Sequence, residues 1–341
     1  MTWLFLHFPF HMTYATRTQE WMNQTDFTEF ILFGFTDISE LQILLFWVFL
    51  LIYFATIAGN LLIIVLIACD QNLHSPMYFF LVTLSCLEIV YSSTILPRML
   101  CSFLTGKKTI SLQGCFLQYY FFGSLVGSEC YLLAAMSYDR YLAICKPLHY
   151  STLMNNIVCM QFIVGSCMLC FILNSVTTYL MSQLSFCGPP ILDHFFCDFT
   201  PVIKLACGDT QKMELMAFIL SPLIALVPFL LTLMSYSLII STILRIPSNI
   251  GRQKAFSTCS SHLTIVTIFY GTLLIVYMLP KTNILKDLNK IFSVFYTVLT
   301  PIVNPIVYCL RNREVKEALS KHTSQFFSFP RSIFSRHYRM R

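Results

Sequence analysis

The chain has 341 residues, of which 56% are hydrophobic and 11% are charged, and its formal net charge is +6 at pH 7. A soluble globular domain has about 25% charged residues. The hydrophobic residues are concentrated in blocks of roughly 20 or more, which is long enough for a helix to span a bilayer. This distribution excludes a soluble two-domain protein and indicates a multi-pass membrane protein.

The N-terminal segment, residues 1–40, precedes the first long apolar block. Its opening stretch, MTWLFLHFPF, lacks a basic region and has only a brief apolar core, which is not typical of a signal peptide. Met22 offers a second start, so we interpret residues 1–21 as an optional extension. The triplet NQT at Asn23 is a glycosylation sequon, which is used only on the lumenal side of a membrane.

Seven apolar blocks predict seven transmembrane helices, because backbone groups in lipid must find their hydrogen bonds within their own segment. The blocks are residues 41–68, 77–97, 113–138, 157–181, 213–244, 263–280 and 291–310. The third block contains Glu129 and the sixth is short, so hydropathy gives the weakest support for a transmembrane helix in these two blocks. The short connections favour one helix-bundle domain over residues 41–310. The expected fold is therefore an all-α membrane protein with a tail at 311–341.

Basic residues, which are enriched in cytoplasmic loops, set the orientation. An outside N-terminus puts the basic tail at 311–341 in the cytoplasm, whereas the opposite orientation would put this tail outside. Cys115, Cys187, Cys197 and Cys207 then fall in outer segments, where disulfides persist. Four cysteines allow three pairings, and their spacing does not choose among them.

Four polar side chains on four predicted helices lie at similar depth, if each residue rises by about 1.5 Å. They are Asn60, Glu88, Glu129 and Asn304. Ionisable groups in hydrocarbon are costly, so this polar layer is expected to face the bundle interior. Two interpretations stay open. The layer either holds the helices together by hydrogen bonds, or forms a hydrated site where two carboxyl groups share a proton or bind sodium, which prefers hard oxygen ligands.

Other classes of membrane protein fit the sequence less well. A transporter often has two related halves with matching broken helices, whereas Pro222 and Pro228 interrupt one block without a counterpart elsewhere. A membrane enzyme would need a nucleophile with its base, or a metal motif such as HExxH. The histidines, including His149, His194 and His262, show no such spacing. We therefore expect that the protein is not an enzyme and that it has neither a cofactor nor a nucleic-acid partner. A channel or transporter remains an open interpretation.

Eight short motifs occur in order within residues 22–320. They are GN at 59–60, PMYFFL at 76–81, LSCLE at 84–88, MSYDRYLAIC at 136–145, SY at 235–236, KAFSTCSSHL at 254–263, FYG at 269–271 and PIVNPIVYCLRN at 301–312. Together they resemble an odorant receptor of the rhodopsin-like G-protein-coupled class. The resemblance implies a seven-helix receptor in the plasma membrane, in contact with lipid, with a short cytoplasmic helix after the seventh span.

The resemblance also assigns roles at the cytoplasmic ends of the helices. Arg140 would be the switch arginine, which Asp139 holds in the inactive state and which turns towards Tyr236 on activation. The implied partner is a stimulatory, olfactory-type heterotrimeric G protein that raises cyclic AMP. The residues of this G-protein switch would be Asp139, Arg140, Tyr141, Tyr236, Asn304, Pro305 and Tyr308.

Two further features follow from the resemblance. Glu88 stands where the wider class usually has Asp, and a sodium ion held by Glu88 and Glu129 is the metal site to be tested. Tyr270 stands where most rhodopsin-like receptors have Trp, and the FYG motif is the odorant-receptor version. The implied disulfides are Cys115–Cys197 and Cys187–Cys207.

A ligand pocket is expected above the polar layer, towards the outside. Gly123, Val126, Gly127 and Cys130 share one face of the third helix by their spacing. The two glycines either leave a hollow opposite the sixth helix or allow close helix packing. An apolar lining with a few hydroxyl groups suits a small, mostly uncharged organic molecule. The candidate lining residues are Phe122, Gly123, Val126, Gly127, Ser221, Ile224, Leu273, Leu274, Tyr277 and Thr297.

Overall fold

The computed structural model describes residues 28–34, 39–278, 286–312 and 314–322. Seven long helices follow one another within these residues. They are α1 Ser39–Cys69, α2 Pro76–Thr105, α3 Leu112–Cys145, α4 Asn156–Ser182, α5 Gln211–Leu244, α6 Asn249–Met278 and α7 at 286–311. The sequon at Asn23, the extension at 1–21 and the tail after 322 lie outside the described residues, as does the side chain of Tyr277.

Six of the described helices are long and apolar enough to cross a membrane, and α3 is the exception. The α3 helix contacts α2, α4, α5 and α6. Its polar side chains, such as Gln118, Ser128 and Glu129, are therefore buried against other helices. A helix surrounded by protein needs less hydrophobic surface than one in contact with lipid, which explains the weak hydropathy of the third block. The helices confirm the predicted seven-helix bundle.

The helix ends follow from the local sequence. The α2 helix starts at Pro76, because the first turn of a helix does not need the N–H that proline lacks. It ends at Thr105 and is capped by Gly106, which has a φ of 69°, a left-handed conformation that glycine adopts without strain. The α3 helix follows Ser111, whose hydroxyl accepts a hydrogen bond from the Gly114 N–H at 3.1 Å.

Two of the helices contain a π-turn, in which the N–H of residue i+5 donates to the carbonyl of residue i. One is Pro222–Leu226 in α5 and the other is Phe295–Leu299 in α7. Single π-turns inside α-helices often occur at functional sites. These two contain Ile224 and Thr297, which are candidate lining residues.

A small β-sheet covers the outer face of the bundle. Its central strand β1 (Glu29–Leu32) pairs antiparallel with β2 (Thr109–Ser111) and parallel with β4 (Ile191–Leu192). Strand β3 (Ser185–Phe186) pairs antiparallel with β5 (Ala206–Cys207). We refer to these five strands and the loop between β4 and β5 as the outer cap. The hydropathy of the sequence indicated none of these strands.

Two disulfides hold the outer cap. Cys115 at the top of α3 is bonded to Cys197, with 5.4 Å between their Cα atoms. Cys187 is bonded to Cys207, with a Cα–Cα distance of 5.8 Å. The first disulfide attaches the cap to the bundle, and the second closes the loop on itself. These are the pairings that the family resemblance implied.

A short helix, α8 at 314–322, follows α7 on the cytoplasmic side. The Asn312 side-chain oxygen accepts a hydrogen bond from the Glu314 N–H at 3.0 Å, as the cap of a helix N-terminus does. Val315 and Ala318 lie three residues apart on one face of α8, and both are buried. This is the cytoplasmic helix that was expected after the seventh span.

Candidate functional site

The polar layer is built from four helices. Asn60, Glu88, Glu129 and Asn304 are all buried. The side-chain amide of Asn304 donates a hydrogen bond to Glu88 Oε1. The amide of Asn60 donates to the Pro301 carbonyl of α7 at 3.1 Å, and Glu129 interacts electrostatically with Glu88. The structure thus brings α1, α2, α3 and α7 together through these polar side chains.

Three oxygen atoms of the polar layer accept no hydrogen bond from a described residue. They are Asn60 Oδ1, Glu88 Oε2 and Glu129 Oε1. A buried oxygen without a donor is costly unless a water, a proton or a cation satisfies it. Because sodium prefers hard oxygen ligands, these groups fit a sodium ion as well as a shared proton. Elsewhere in the described part of the chain, no three His, Cys, Asp or Glu side chains form a metal site.

A close contact between α1 and α7 lies next to the polar layer. A Cβ atom on Gly59 would lie 3.0 Å from Pro305 Cγ. A side chain at position 59 would require Pro305 to shift by a few tenths of an ångström, so glycine suits this close approach. The contact supports α7 at the proline, where the helix lacks one backbone donor. Pro305 thus has a packing partner on α1, beside Asn304.

The predicted switch residues Asp139 and Arg140 lie at the cytoplasmic end of α3. Asp139 accepts a hydrogen bond from the Tyr150 hydroxyl at 2.8 Å. The buried Nε of Arg140 donates to no described residue. The guanidinium interacts electrostatically with Asp139, Tyr236 and Tyr308. Asp139 is therefore held by the loop after α3, and the Nε of Arg140 can still donate a hydrogen bond. Nothing in the sequence pointed to Tyr150.

The remaining switch tyrosines lie on three helices, α3, α5 and α7. The Tyr236 hydroxyl lies 2.7 Å from His262 Nδ1 and so links α5 to α6. The Tyr308 hydroxyl of α7 is buried and bonds to no described residue. Tyr141 stacks on Tyr138, with 6.1 Å between the ring centroids. The motif KAFSTCSSHL contains His262, but the sequence did not indicate its pairing with Tyr236.

An aromatic cluster closes the bundle beneath the outer cap. Phe122 stacks on Tyr91 of α2, with ring centroids 5.2 Å apart. It also contacts Phe196 of the cap at 4.8 Å and Tyr296 of α7 at 6.0 Å. Phe122 therefore joins α2, α3, α7 and the cap, and its ring is buried. The cluster separates the cap from the deeper lining residues.

Gly123 and Gly127 face α4 and α5 rather than α6. A Cβ on Gly123 would lie 2.7 Å from Asn174 Oδ1. A Cβ on Gly127 would lie 2.8 Å from Ile224 Cγ2 and 3.0 Å from Cys170 Sγ. Side chains of α4 and α5 thus fill the space where a hollow was considered. The structure favours the other interpretation, which is close helix packing through small residues.

The other candidate lining residues fall into two groups. Leu273 and Thr297 are buried, and Val126 packs against the core. Ser221 and Leu274 are exposed. Neighbouring residues on a helix point about 100° apart, and here Leu273 faces the interior whereas Leu274 faces outwards. The expectation that both line the pocket is corrected in favour of Leu273.

The outer cap contacts α7 through two successive residues. Asp193 pairs with Lys290 Nζ, which also lies 3.4 Å from the Phe33 carbonyl. His194 Nε2 lies 3.3 Å from the Ser293 hydroxyl. Burial, together with the nearby Lys290 charge, lowers the pKa of His194 to about 3. His194 is therefore neutral and, with Asp193, fixes the cap on α7. The sequence did not identify these partners of His194.

On the cytoplasmic side, Asp70 links the loop after α1 to α8. Its carboxylate accepts a hydrogen bond from Lys321 Nζ at 3.1 Å and lies 3.6 Å from His322 Nε2. The Asn72 backbone N–H, which donates to Asp70 at 3.1 Å, and then Lys321 lower the pKa of the Asp70 carboxyl group. The sequence offered no signal for this contact, since Asp70 and Lys321 are 251 positions apart.

Comparison with known proteins agrees with this architecture. A protein-family model described as olfactory receptor matches residues 49–325. Human olfactory receptor 10C1 is 51% identical over 301 residues, which cover 88% of this chain and 96% of the relative. Human olfactory receptor 6B1 is 48% identical over 299 residues, and mouse olfactory receptor 5AR1 is 47% identical over 299, each with the same 88% and 96% coverage. With its seven-helix bundle, the chain therefore belongs to the olfactory receptor family.

Proposed function

We propose that this receptor binds a small, mostly apolar organic odorant in the outer half of the bundle and activates a stimulatory, olfactory-type heterotrimeric G protein, which raises cyclic AMP. Family membership already establishes the general function. The chain is a multi-pass plasma-membrane protein that couples odorant binding to a G protein, and it is not an enzyme. The proposal adds the place of the odorant and the type of G protein.

The observation that carries the coupling proposal is the environment of Arg140. Its buried Nε has no acceptor among the described residues. An unpaired donor on a buried charge is costly, so an acceptor from outside the chain would bind it strongly. The Tyr236–His262 pair flanks this site from α5 and α6. A carbonyl or carboxylate group of a G protein is the partner that this arrangement fits.

The proposed odorant site lies between α3, α5, α6 and α7, above Tyr270. Val126, Ile224, Leu273 and Thr297 would contribute its walls. Leu273 and Thr297 are buried, while Val126 and Ile224 are partly buried. The walls are apolar except for the Thr297 hydroxyl, and none of the four side chains carries a charge. Such a lining suits a small uncharged molecule, for which a single polar group would fix the orientation.

The proposal includes an ion or proton in the polar layer beneath the odorant. A sodium ion would use oxygens of Asn60, Glu88 and Glu129, each of which has one oxygen without a donor among the described residues. A group at this depth would not touch the odorant. It would therefore shift the equilibrium between receptor states in the same direction for every odorant.

The proposed domain organisation has three parts. Residues 1–40 form an extracellular segment with a glycan at Asn23, and 41–310 form the receptor domain. Residues 311–341 form the cytoplasmic tail, which begins with α8. The pairing of β1 with the loops after α2 and α4 supports an outside N-terminus. The buried face of α8 supports its docking on the cytoplasmic end of the bundle.

A cyclic AMP assay tests this proposal. The wild-type receptor and Arg140→Ala are expressed in cells without endogenous stimulatory α-subunits, and a broad odorant panel is applied with and without an added olfactory-type α-subunit. We expect wild-type responses only when the α-subunit is present. Arg140→Ala should abolish these responses and leave the surface amount of receptor unchanged, because Arg140 faces the G protein.

Two results would contradict the proposal. A normal response of Arg140→Ala would remove the role of Arg140 in coupling. A response without the added α-subunit would exclude the stimulatory G protein as the transducer. Odorant-dependent current or flux without any G protein would instead favour the channel or transporter alternative.

A further inference from the structure

A hydrogen bond on the exposed side of the bundle joins α3 to the π-turn of α5. The Tyr131 hydroxyl donates to the Leu223 carbonyl at 2.7 Å. At a rise of about 1.5 Å per residue, Tyr131 lies about 14 Å above Arg140, which is well inside the hydrocarbon layer. A hydroxyl group or backbone carbonyl without a partner is costly there. The bond therefore satisfies two polar groups that lipid would leave unsatisfied.

The sequence of α5 explains why the Leu223 carbonyl is available. In the π-turn the Val227 N–H donates to the Pro222 carbonyl, five residues earlier. The same pattern assigns the next donor, at position 228, to the Leu223 carbonyl. Residue 228 is proline, which has no N–H. Leu223 thus lacks the intrahelical donor that the turn requires, and the Tyr131 hydroxyl takes its place.

A second contact lies one helical turn further out. Gly127 and Tyr131 are four residues apart, so they lie on the same face of α3. Ile224, the residue after Leu223, packs into the space left by Gly127, where a Cβ would lie 2.8 Å from Ile224 Cγ2. The π-turn is therefore fixed by a hydrogen bond at one residue and by close packing at the next.

We propose that Tyr131 is a positioning residue for the odorant response: its hydroxyl replaces the donor that Pro228 removes from α5, and so sets the rotation of the outer half of α5 against α3. Ile224 belongs to this part of the helix. Tyr131 does not touch the odorant and acts through the position of Ile224. The effect on odorants rests on the proposed odorant site, whereas the replacement of the donor does not.

A double-mutant cycle between Tyr131→Phe and Pro228→Ala tests the proposal. Tyr131→Phe removes the hydroxyl alone. Pro228→Ala restores a backbone N–H that can reach the Leu223 carbonyl. For the full-length receptor and each variant, we measure the melting temperature in detergent and the half-maximal concentration of every odorant that activates the wild type. Surface amounts are measured in parallel.

In the native background, we expect Tyr131→Phe to lower the melting temperature. It should raise half-maximal concentrations about threefold, and by no more than about twentyfold, the range for interhelical hydrogen bonds in membranes. The maximal response per surface receptor should not change. In the Pro228→Ala background, the same substitution should change neither quantity. The proposal would be overturned if Tyr131→Phe changed the melting temperature and the half-maximal concentrations equally in both backgrounds. It would also be overturned if the substitution changed neither quantity in the native background.

A second pair of variants covers the case in which Pro228→Ala does not fold. Position 131 is replaced by 4-aminophenylalanine, which keeps a donor at the same place, or by 4-methoxyphenylalanine, which has none. The amino variant should behave as the wild type and the methoxy variant as Tyr131→Phe. Identical behaviour of the two would overturn the proposal. Tyr179→Phe, on the exposed face of α4, is the matched control and should leave both quantities unchanged.

The two measurements separate this proposal from the proposed function. If the cycle is seen in melting temperatures but no half-maximal concentration changes, the positioning role is overturned. If the wild-type receptor answers no odorant through cyclic AMP, the proposed function fails. The melting temperatures then still decide whether Tyr131 replaces the donor that Pro228 lacks.

Discussion

The Tyr270 hydroxyl of α6 donates a hydrogen bond to the Cys130 carbonyl of α3, with 3.1 Å between the two oxygen atoms. Both residues are buried. The bond joins α3, which carries Arg140, to α6, so a movement of α6 away from α3 on activation would break it. It therefore stabilises the arrangement of α3 and α6 that is present in this structure.

Tyr270→Phe should raise signalling in the absence of odorant. The substitution removes the hydroxyl and keeps the ring, so it weakens the link between α3 and α6 and leaves their packing in place. Hydrogen bonds between membrane helices contribute about 0.6 kcal/mol on average, which corresponds to about a threefold shift of a two-state equilibrium. Basal cyclic AMP per surface receptor should rise by this factor. Tyr120→Phe, which removes a hydroxyl from a tyrosine whose ring contacts Phe171 of α4, is the control and should leave basal cyclic AMP unchanged. Basal signalling at or below the wild-type level would show that the bond does not restrain α6.

Gly127→Leu should destabilise the receptor and weaken its response to all odorants alike. A leucine side chain at this position would collide with Ile224 and Cys170, and overpacking typically costs about 1–3 kcal/mol. Melting temperature and surface amount measure the effect. Gly165→Leu on α4 is the matched control, since nothing lies within 4 Å of a Cβ at Gly165. If Gly127→Leu kept the stability of the wild type and lost only its responses to large odorants, the result would favour a hollow at this position over close helix packing.

Glu88→Gln should abolish any dependence of basal signalling on sodium. The glutamine oxygen can still accept the hydrogen bond of Asn304. The variant therefore removes the carboxyl group, which can carry a charge, and keeps this hydrogen bond. Basal and odorant-induced cyclic AMP are compared in buffers in which choline replaces sodium. We expect a sodium effect in the wild type that is lost in Glu88→Gln and equal for every odorant. A wild-type receptor indifferent to sodium would exclude the sodium site and leave either a shared proton or hydrogen bonds between the helices as the function of the layer.

The contact between the outer cap and α7 should weaken in acid. Burial and Lys290 lower the pKa of His194 to about 3 from its ordinary value of 6.5. Below pH 6.5, a released His194 binds a proton that the buried one does not, so its contribution to stability is complete above pH 6.5 and is lost progressively towards pH 3. The melting temperature should therefore fall between pH 7.5 and pH 5. His194→Gln, which cannot be protonated, should flatten this pH dependence, and an unchanged slope would exclude His194 as its cause.

The sequence was sufficient for the features that depend on local composition. Seven apolar blocks predicted seven helices, because a span in lipid must bury its own backbone polar groups. Helical rise placed Asn60, Glu88, Glu129 and Asn304 at one depth, and the structure has Asn304 bonded to Glu88. Depth along a helix follows directly from residue number, so these expectations needed no knowledge of helix rotation.

Features that depend on helix rotation or on distant partners were not predictable in this way. The face with Gly123 and Gly127 was found by its spacing, but its partners on α4 and α5 depend on how α3 is turned. The bond between Asp70 and Lys321 joins positions 251 residues apart, and no periodic pattern in the sequence indicates it. The outer cap is built from strands of two to four residues, which are too short to leave a hydropathy signal.

The central position of β1 has a consequence for how the receptor is made. This strand is the first cap element to be synthesised, yet its partners β2 and β4 follow α2 and α4 in the chain. The N-terminal strand therefore has no partner in the lumen until two helices have been inserted, and one of its edges remains unpaired until four have been inserted. An unpaired strand edge is a site of aggregation, so early biosynthesis exposes this chain to misassembly in the endoplasmic reticulum. Closure of the outer cap is consequently a late checkpoint of maturation, reached only after half of the membrane domain is in place.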